Sequence, residues 1–282
     1  MRRLVGMKRI LVMTAAVVLV GQSVVADEKL IADPIVEWEI RKKLLKPEGE
    51  LTEADLRKLT FLNLALTQIT DTGLKDVAKL QNLDRLHLLD TKITDEGLRE
   101  VAKLQNLEWL LLGETQITDA GLKDVAKLQN LIILDLDDTQ ITDAGLKDVA
   151  KLQKLEKLNL GHGKITDAGL KDVAKLQNLE VVGFRNTQIT DAGLKDVAKL
   201  QQLIYLDLND TKITDAGLKE LAKLQKLEGL NLSNTQITNK CLKDVAKLQK
   251  LRGLELQGTK ITKAGVAELK KALPKCIVIG GP

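Results

Sequence analysis

The string TQITDAGLKDVAKLQ begins at Thr115 and recurs unchanged at Thr139 and Thr187; a shortened copy, ITDAGLKDVAKLQ, begins at Ile165. Leucines keep the same step of 24 residues from Leu59, Leu83 and Leu107 through to Leu251, marking nine copies in one register. A fixed period of this size constrains the fold more than any other feature of the chain, because it signals a stacked array. One such unit buries too little apolar surface to offset the ordering of its own backbone. Neighbouring units must therefore share a continuous core.

Each unit has two halves. The first reads LxxLxL, as in Leu131-Ile132-Ile133-Leu134-Asp135-Leu136, and its apolar alternation is that of a strand. The second reads TxITDxGLxxVAxLxx. There Leu146, Val149 and Ala150 form a helical stripe. Thr142 or Asp143 is placed to cap that helix, and an acid there suits the positive end of its dipole. A threonine column (Thr67, Thr91, Thr115, Thr139, then Thr187 to Thr259) is broken once, at Gly163. The irregular stretch LGHGKIT, Leu160–Thr166, predicts a local loop distortion.

The pattern LxxLxLxxTxI followed by a short helix resembles the leucine-rich repeat family. Its ITDxGL element is similar to repeats common in secreted bacterial proteins and to repeats attached to F-box proteins. The resemblance covers residues 59–266. It implies an α/β solenoid, a horseshoe with a concave parallel sheet and convex short helices, built from about nine 24-residue repeats. Many members carry Asn where this chain carries the Thr column, so the Thr hydroxyls are expected to bond the turn backbone in a similar ladder.

The ends differ from the array. Residues 1–26 have a basic start, an apolar run from Ile10 to Val20 and a small-residue exit at Val24-Val25-Ala26. That is a secretory signal pattern, with cleavage expected after Ala26 and export to the periplasm or medium. The apolar run is short for a membrane span, so no stable membrane insertion is expected after cleavage. Residues 27–58 form an N-terminal helical cap: Asp33-Pro34 starts a helix, and Ile35, Trp38 and Leu45 are expected to cover the first repeat. Residues 267–282 close the other end, with a tenth strand around Ile277–Ile279.

The net charge of +4 belongs to the leader. Without its four cations the 43 basic residues fall to 39, equal to the 39 acidic ones. A balanced chain has no global electrostatic reason to seek nucleic acid. Cys241 and Cys276 lie in different units at a spacing that demands no bridge and suggests no zinc site. No phosphate loop, nucleophile elbow or metalloprotease motif is present. The two histidines, His87 and His162, sit three repeats apart. The sequence therefore reads as non-catalytic, with no cofactor and no metal.

The helical half hardly varies; Lys123, Asp124 and Lys127 recur as columns and read as a solvated convex face. The strand half varies widely. Its outward positions form rows. One begins Phe61, Arg85, Trp109, Ile133, Lys157 and continues through Val181 to Tyr205. A second includes Leu111, Asp135 and Asp207, and a third Leu89 and Arg185. Leu89, Trp109, Leu111 and Ile133 are expected to make an apolar patch, with charges beside it for selection. Asp135, Asp137 and Asp138, with Glu114 and Asp210, read as a solvated acidic rim. The expected function is binding of a protein partner on the concave face. A structural spacer and an adaptor for an enzyme remain as alternatives.

Overall fold

The computed structural model describes residues 29–281. The secretory signal expected over residues 1–26 lies outside them. Each LxxLxL segment supplies a three-residue strand: β1 (Phe61–Asn63), β2 (Arg85–His87), β3 (Trp109–Leu111), β4 (Ile133–Asp135), β5 (Lys157–Asn159), β6 (Val181–Gly183), β7 (Tyr205–Asp207), β8 (Gly229–Asn231), β9 (Gly253–Glu255) and β10 (Ile277–Ile279). All ten pair in parallel and in sequence order, so that Phe61, Arg85, Trp109, Ile133 and Lys157 stand in one row. Strands stack about 4.8 Å apart, whereas packed helices need about 8–10 Å. That mismatch curves the array towards the sheet, whose outer face becomes the concave one.

The middle residue of each strand and the flanking leucines point inward. Leu83, Leu86, Leu88, Ile93, Leu98 and their equivalents are completely buried in one core that runs the length of the array. Phe184 takes a leucine position in this core without exposure.

The polar columns divide their work, and the threonines bond the turn backbone as expected. Each Thr hydroxyl bonds the turn of its own repeat, as Thr91 Oγ1 does to the Leu88 carbonyl (2.8 Å) and Thr115 Oγ1 to that of Leu112 (2.6 Å). The link between repeats is the aspartate column. Of the two residues expected to cap the helix, Asp143 accepts from the Thr166 N–H (2.9 Å) and the Thr166 hydroxyl (2.6 Å) in the next repeat. Asp119 does the same for Thr142 at 2.8 and 2.6 Å. Local capping falls to the threonine: Thr142 Oγ1 accepts from the Ala144 N–H at 3.3 Å.

The glycine two residues after each aspartate follows from this linkage. A Cβ on Gly145 would lie 2.5 Å from Asp119 Oδ1 and 2.7 Å from Leu122 Cδ1. Cys241 breaks the column. There the backbone forms a short 3-10 turn, Asn239–Cys241, and Cys241 Sγ sits 3.2 Å from the Thr238 carbonyl. Burial, with the negative charge of Asp215, pushes this thiol's pKa up to about 12. Both cysteines are free and buried.

A second backbone requirement was not legible in the motif. The residue before each Thr column position turns the chain with a left-handed conformation: Leu66 (φ 61°), Asp90 (47°), Glu114 (55°), Asp138 (50°), His162 (52°) and on to Asn234, with Gly258 in the last copy. The expected distortion over Leu160–Thr166 is absent. His162 adopts the same φ as its equivalents, and its N–H donates to the Arg185 carbonyl (2.8 Å) as that of Asp138 does to Gly161 (3.0 Å). Gly163 lacks only the threonine hydroxyl.

The N-terminal cap is a helix, Pro34–Leu44, with Asp33 accepting from the Ile35 and Val36 N–H groups at 2.9 and 3.0 Å. Val36 and Ile40, four apart on one face, are its buried residues, with Ile35 partly buried beside them. Trp38 and Leu45 do not cover the first repeat: they are 60% and 89% exposed. Fixing the helix start at Pro34 turns position 38 away from the core, and Leu45 is the left-handed C-cap (φ 53°). The cap is tied down by Asp76, which accepts the Ala32 and Asp33 N–H groups, both at 2.7 Å, and Lys79 Nζ at 2.6 Å. Burial works against this carboxylate, but Lys79 and the two N–H donors hold it below its ordinary pKa.

Candidate binding surface on the concave sheet

The first and third residues of each strand face outward, and these are the positions at which the copies differ. At the N-terminal end they build an aromatic and cationic stack. The Arg85 guanidinium lies 5.8 Å from the Phe61 ring and 5.3 Å from the Trp109 ring, within cation–π range of both. Arg85 Nε also bonds Asp84 at 3.0 Å, which fixes its orientation. Lys43 from the cap helix reaches over the other side of Phe61 at 5.1 Å. His87 meets the Phe61 ring edge-on at 4.8 Å. Burial, with the charge of Arg85 beside it, lowers its pKa.

Trp109 pairs in register with Ile133, and Leu111 lies on the same face two residues along β3. Leu89 packs over Gly113 on that face, where its Cδ1 would be 2.9 Å from an added Cβ. Trp109 is 37% exposed.

Seven of the residues singled out in the sequence line one groove of about 320 Å³ across β3 to β7: Leu111, Ile133, Asp135, Lys157, Arg185, Tyr205 and Asp207. Phe61, Arg85, Leu89 and Trp109 lie outside it, towards the N-terminal end. Gly183 and Val181 give the groove its depth, and the Tyr205 ring is seated over Gly229, where a Cβ would meet Cδ2 at 2.5 Å. Asp135 and Asp207 are held by their own turns, accepting from the N–H groups of Asp137 (3.0 Å) and Asn209 (2.9 Å).

The groove combines an apolar floor with charges of both signs. Burial raises the pKa of Asp135, and the neighbouring Asp137 and Glu114 add to the shift. Burial also raises Asp207; Asp137 adds to this, while Arg185 opposes it. Tyr205 is raised by burial and then by Asp207 and Glu255. Sequence reasoning missed one grouping here. His162 Nδ1 lies 3.3 Å from both Asp137 oxygens, and its Nε2 lies 3.3 Å from Arg185 Nη2. Asp137 and Arg185 flank the small Gly161 in adjacent positions of the third row, so the signal was present once the rows were aligned. Among the described residues no group of three His, Cys, Asp or Glu side chains is arranged to hold a metal ion. What this surface can do chemically is offer anchors, hydrogen bonds and paired charges to a macromolecule.

The opposite face repeats itself. Lys127, Lys151, Lys175 and Lys199 each pair with the aspartate three residues before, at 2.6 Å, and are about 60% exposed. Such pairs add little to stability.

The leucine-rich repeat region family matches residues 126–278, and a second leucine-rich repeat family matches residues 55–78 and 79–102. Among solved structures, an internalin C2 from Listeria monocytogenes is 30% identical, with a TM-score of 0.66 over 81% of this chain and 95% of that one. An internalin F from the same organism is 21% identical, with a TM-score of 0.59 and 89% of each chain covered; this second likeness concerns the fold alone. No curated protein matches the chain. No helix among the described residues is long and apolar enough to cross a membrane.

Proposed function

Because the chain belongs to the leucine-rich repeat family, we propose that it is an exported, non-catalytic binding protein whose concave sheet recognises another protein. The observation that carries this reading is a contrast. The outward sheet positions differ from copy to copy around a groove with an aromatic–arginine stack beside it, while the helical face repeats one charged pattern. Trp109, Leu111, Ile133 and Tyr205 are the anchors; Phe61, Arg85 and Leu89 extend the surface towards the N-terminal cap. Asp135, Lys157, Arg185 and Asp207 select among partners through charge. Export rests on the basic, apolar and small-residue pattern of residues 1–26. The balanced charge of the remainder favours protein over nucleic acid.

Site-specific photocrosslinking tests the surface. A benzophenone amino acid in place of Trp109 is expected to capture a defined partner from envelope or extracellular fractions, and one in place of Lys147 is not. In a pull-down without the crosslinker, Trp109→Ala with Ile133→Asp should reduce recovery of that partner by about tenfold or more, since buried anchors carry most of the affinity. Equal capture from both faces refutes the reading. N-terminal sequencing of the exported form should begin at Asp27.

A further inference from the structure

The two ends of the described array differ. The helix Pro34–Leu44 packs at the β1 end of the stack. At the other end β10 is the last strand, and among the described residues no strand pairs with its outer edge. Ile277 N–H donates to the Arg252 carbonyl (2.7 Å) and the Ile279 carbonyl accepts from Leu256 N–H (2.9 Å). Alternate residues of β10 thus turn their backbone groups to β9, which leaves the N–H and C=O of Val278 aimed outward.

The side chains along this edge are unusual for the sheet. Ile277 and Ile279 are 69% and 56% exposed. The row that ends in Ile279 is mostly polar in earlier strands, with Asp207, Asn231 and Glu255 immediately before it. The surroundings are cationic. From Lys250 to Gly281 seven basic residues stand against two acidic ones. On the last helix, Lys263–Ala272, and in its turn into β10, Lys263, Lys270, Lys271 and Lys275 are exposed and have no ion-pair partner among the described residues. Every preceding helix pairs a lysine with an acid three residues earlier.

We propose that this edge is a second docking site, which takes an extended, acidic segment of a partner protein as an eleventh strand. The outward main-chain groups supply the pairing, the isoleucines supply apolar contact, and the lysines select carboxylates. A second copy of this chain is disfavoured because it would bring the same lysines together. A lipid surface offers nothing to the main-chain groups. Lysines beside a short edge also blunt unwanted pairing, but a blunted edge would carry charge at positions 277 and 279 rather than isoleucine.

The probe is a fluorescein-tagged nonapeptide alternating glutamate with valine and threonine, followed by anisotropy. Saturable binding is expected, weakened about tenfold or more when lysine replaces glutamate and when alternate amides are N-methylated. Ile277→Ser with Ile279→Ser should weaken it similarly by removing the apolar contact without changing the charge, and both sites are exposed enough to leave the fold intact. Trp109→Ala with Ile133→Asp should leave it unchanged, which separates this edge from the concave surface. Equal binding of the N-methylated peptide, or no saturation at millimolar peptide, overturns the proposal. So does a dimer in sedimentation that Ile279→Lys dissolves.

Discussion

Replacing Asp143 by Ala removes one rung between adjacent repeats. The carboxylate accepts two hydrogen bonds from Thr166, and Thr166 in turn caps the helix Asp167–Val173. A hydrogen bond to a charged group contributes about 1.5–3 kcal/mol net, and a buried donor left without an acceptor costs about 1–3 kcal/mol. Partial exposure of the site reduces both, so the expected loss is about 2–4 kcal/mol. Asp143→Asn is the informative comparison, because the chain already uses it. In the last rung Asn239 Oδ1 accepts the Thr262 N–H (3.0 Å) and Asn239 Nδ2 donates to Thr262 Oγ1 (2.9 Å). The amide preserves both contacts with the hydroxyl's role reversed, and the expected loss is below about 1 kcal/mol. Urea unfolding monitored by circular dichroism gives the two values, with constant m confirming that the same structure is lost. Amide exchange at Thr166 locates the effect. Equal losses for Ala and Asn, or an Ala loss under about 0.5 kcal/mol, would show that the aspartate column is not what joins the repeats.

Leu66 is 72% exposed in the left-handed region, so Leu66→Asn should stabilise by about 0.5–1 kcal/mol, read as a higher unfolding midpoint. Asp76→Ala should free the N-terminal cap at a cost of about 2–3 kcal/mol and speed proteolysis around residues 29–33. Because the Asp76 pKa lies below its ordinary value, its contribution is present at neutral pH and is lost as pH falls below about 3.9; Asp76→Asn should be less pH-dependent over that window. Asp135 has the opposite sign: its charged form is disfavoured in the folded state, so acidification from neutral towards about pH 4 relieves a penalty. Asp135→Asn keeps the turn, as Asn159 does by accepting from Gly161 N–H at 3.2 Å. It should raise the melting temperature at about pH 7, and that gain should vanish near about pH 4.

The repeat period, the inward leucines and the outward rows were legible because each depends on spacing alone, and the solenoid form follows directly from them. The work of Asp143 was not, because a side chain that bonds a residue 23 positions later looks locally like a helix cap. Reading the glycine column as a consequence of that carboxylate required the two repeats to be superposed in space. The turn column carried a partial signal, since Asp90, Asp138, His162, Asn186, Asp210 and Asn234 are residue types enriched at positive φ, but Leu66 and Glu114 are not and they broke the pattern. On the cap helix Ile35 was rightly expected inward, but Trp38 and Leu45 wrongly, since the helix is weakly amphipathic and the larger Trp38 hides the signal of Val36. The concave rows could be written down from the alignment of copies. The groove among them depends on the small Gly183 and on the lean of Tyr205 over Gly229, which no row records.

The aspartate rungs join each repeat only to the next, and this has a mechanical consequence. Pulled from its two termini, the protein should unravel repeat by repeat, with no interior clasp to hold it once an end has yielded. Each detachment frees 24 residues, or about 80 Å of extended chain at about 3.3–3.6 Å per residue. The force trace should therefore be a series of evenly spaced steps, and its weakest event should mark the copy in which Cys241 replaces glycine.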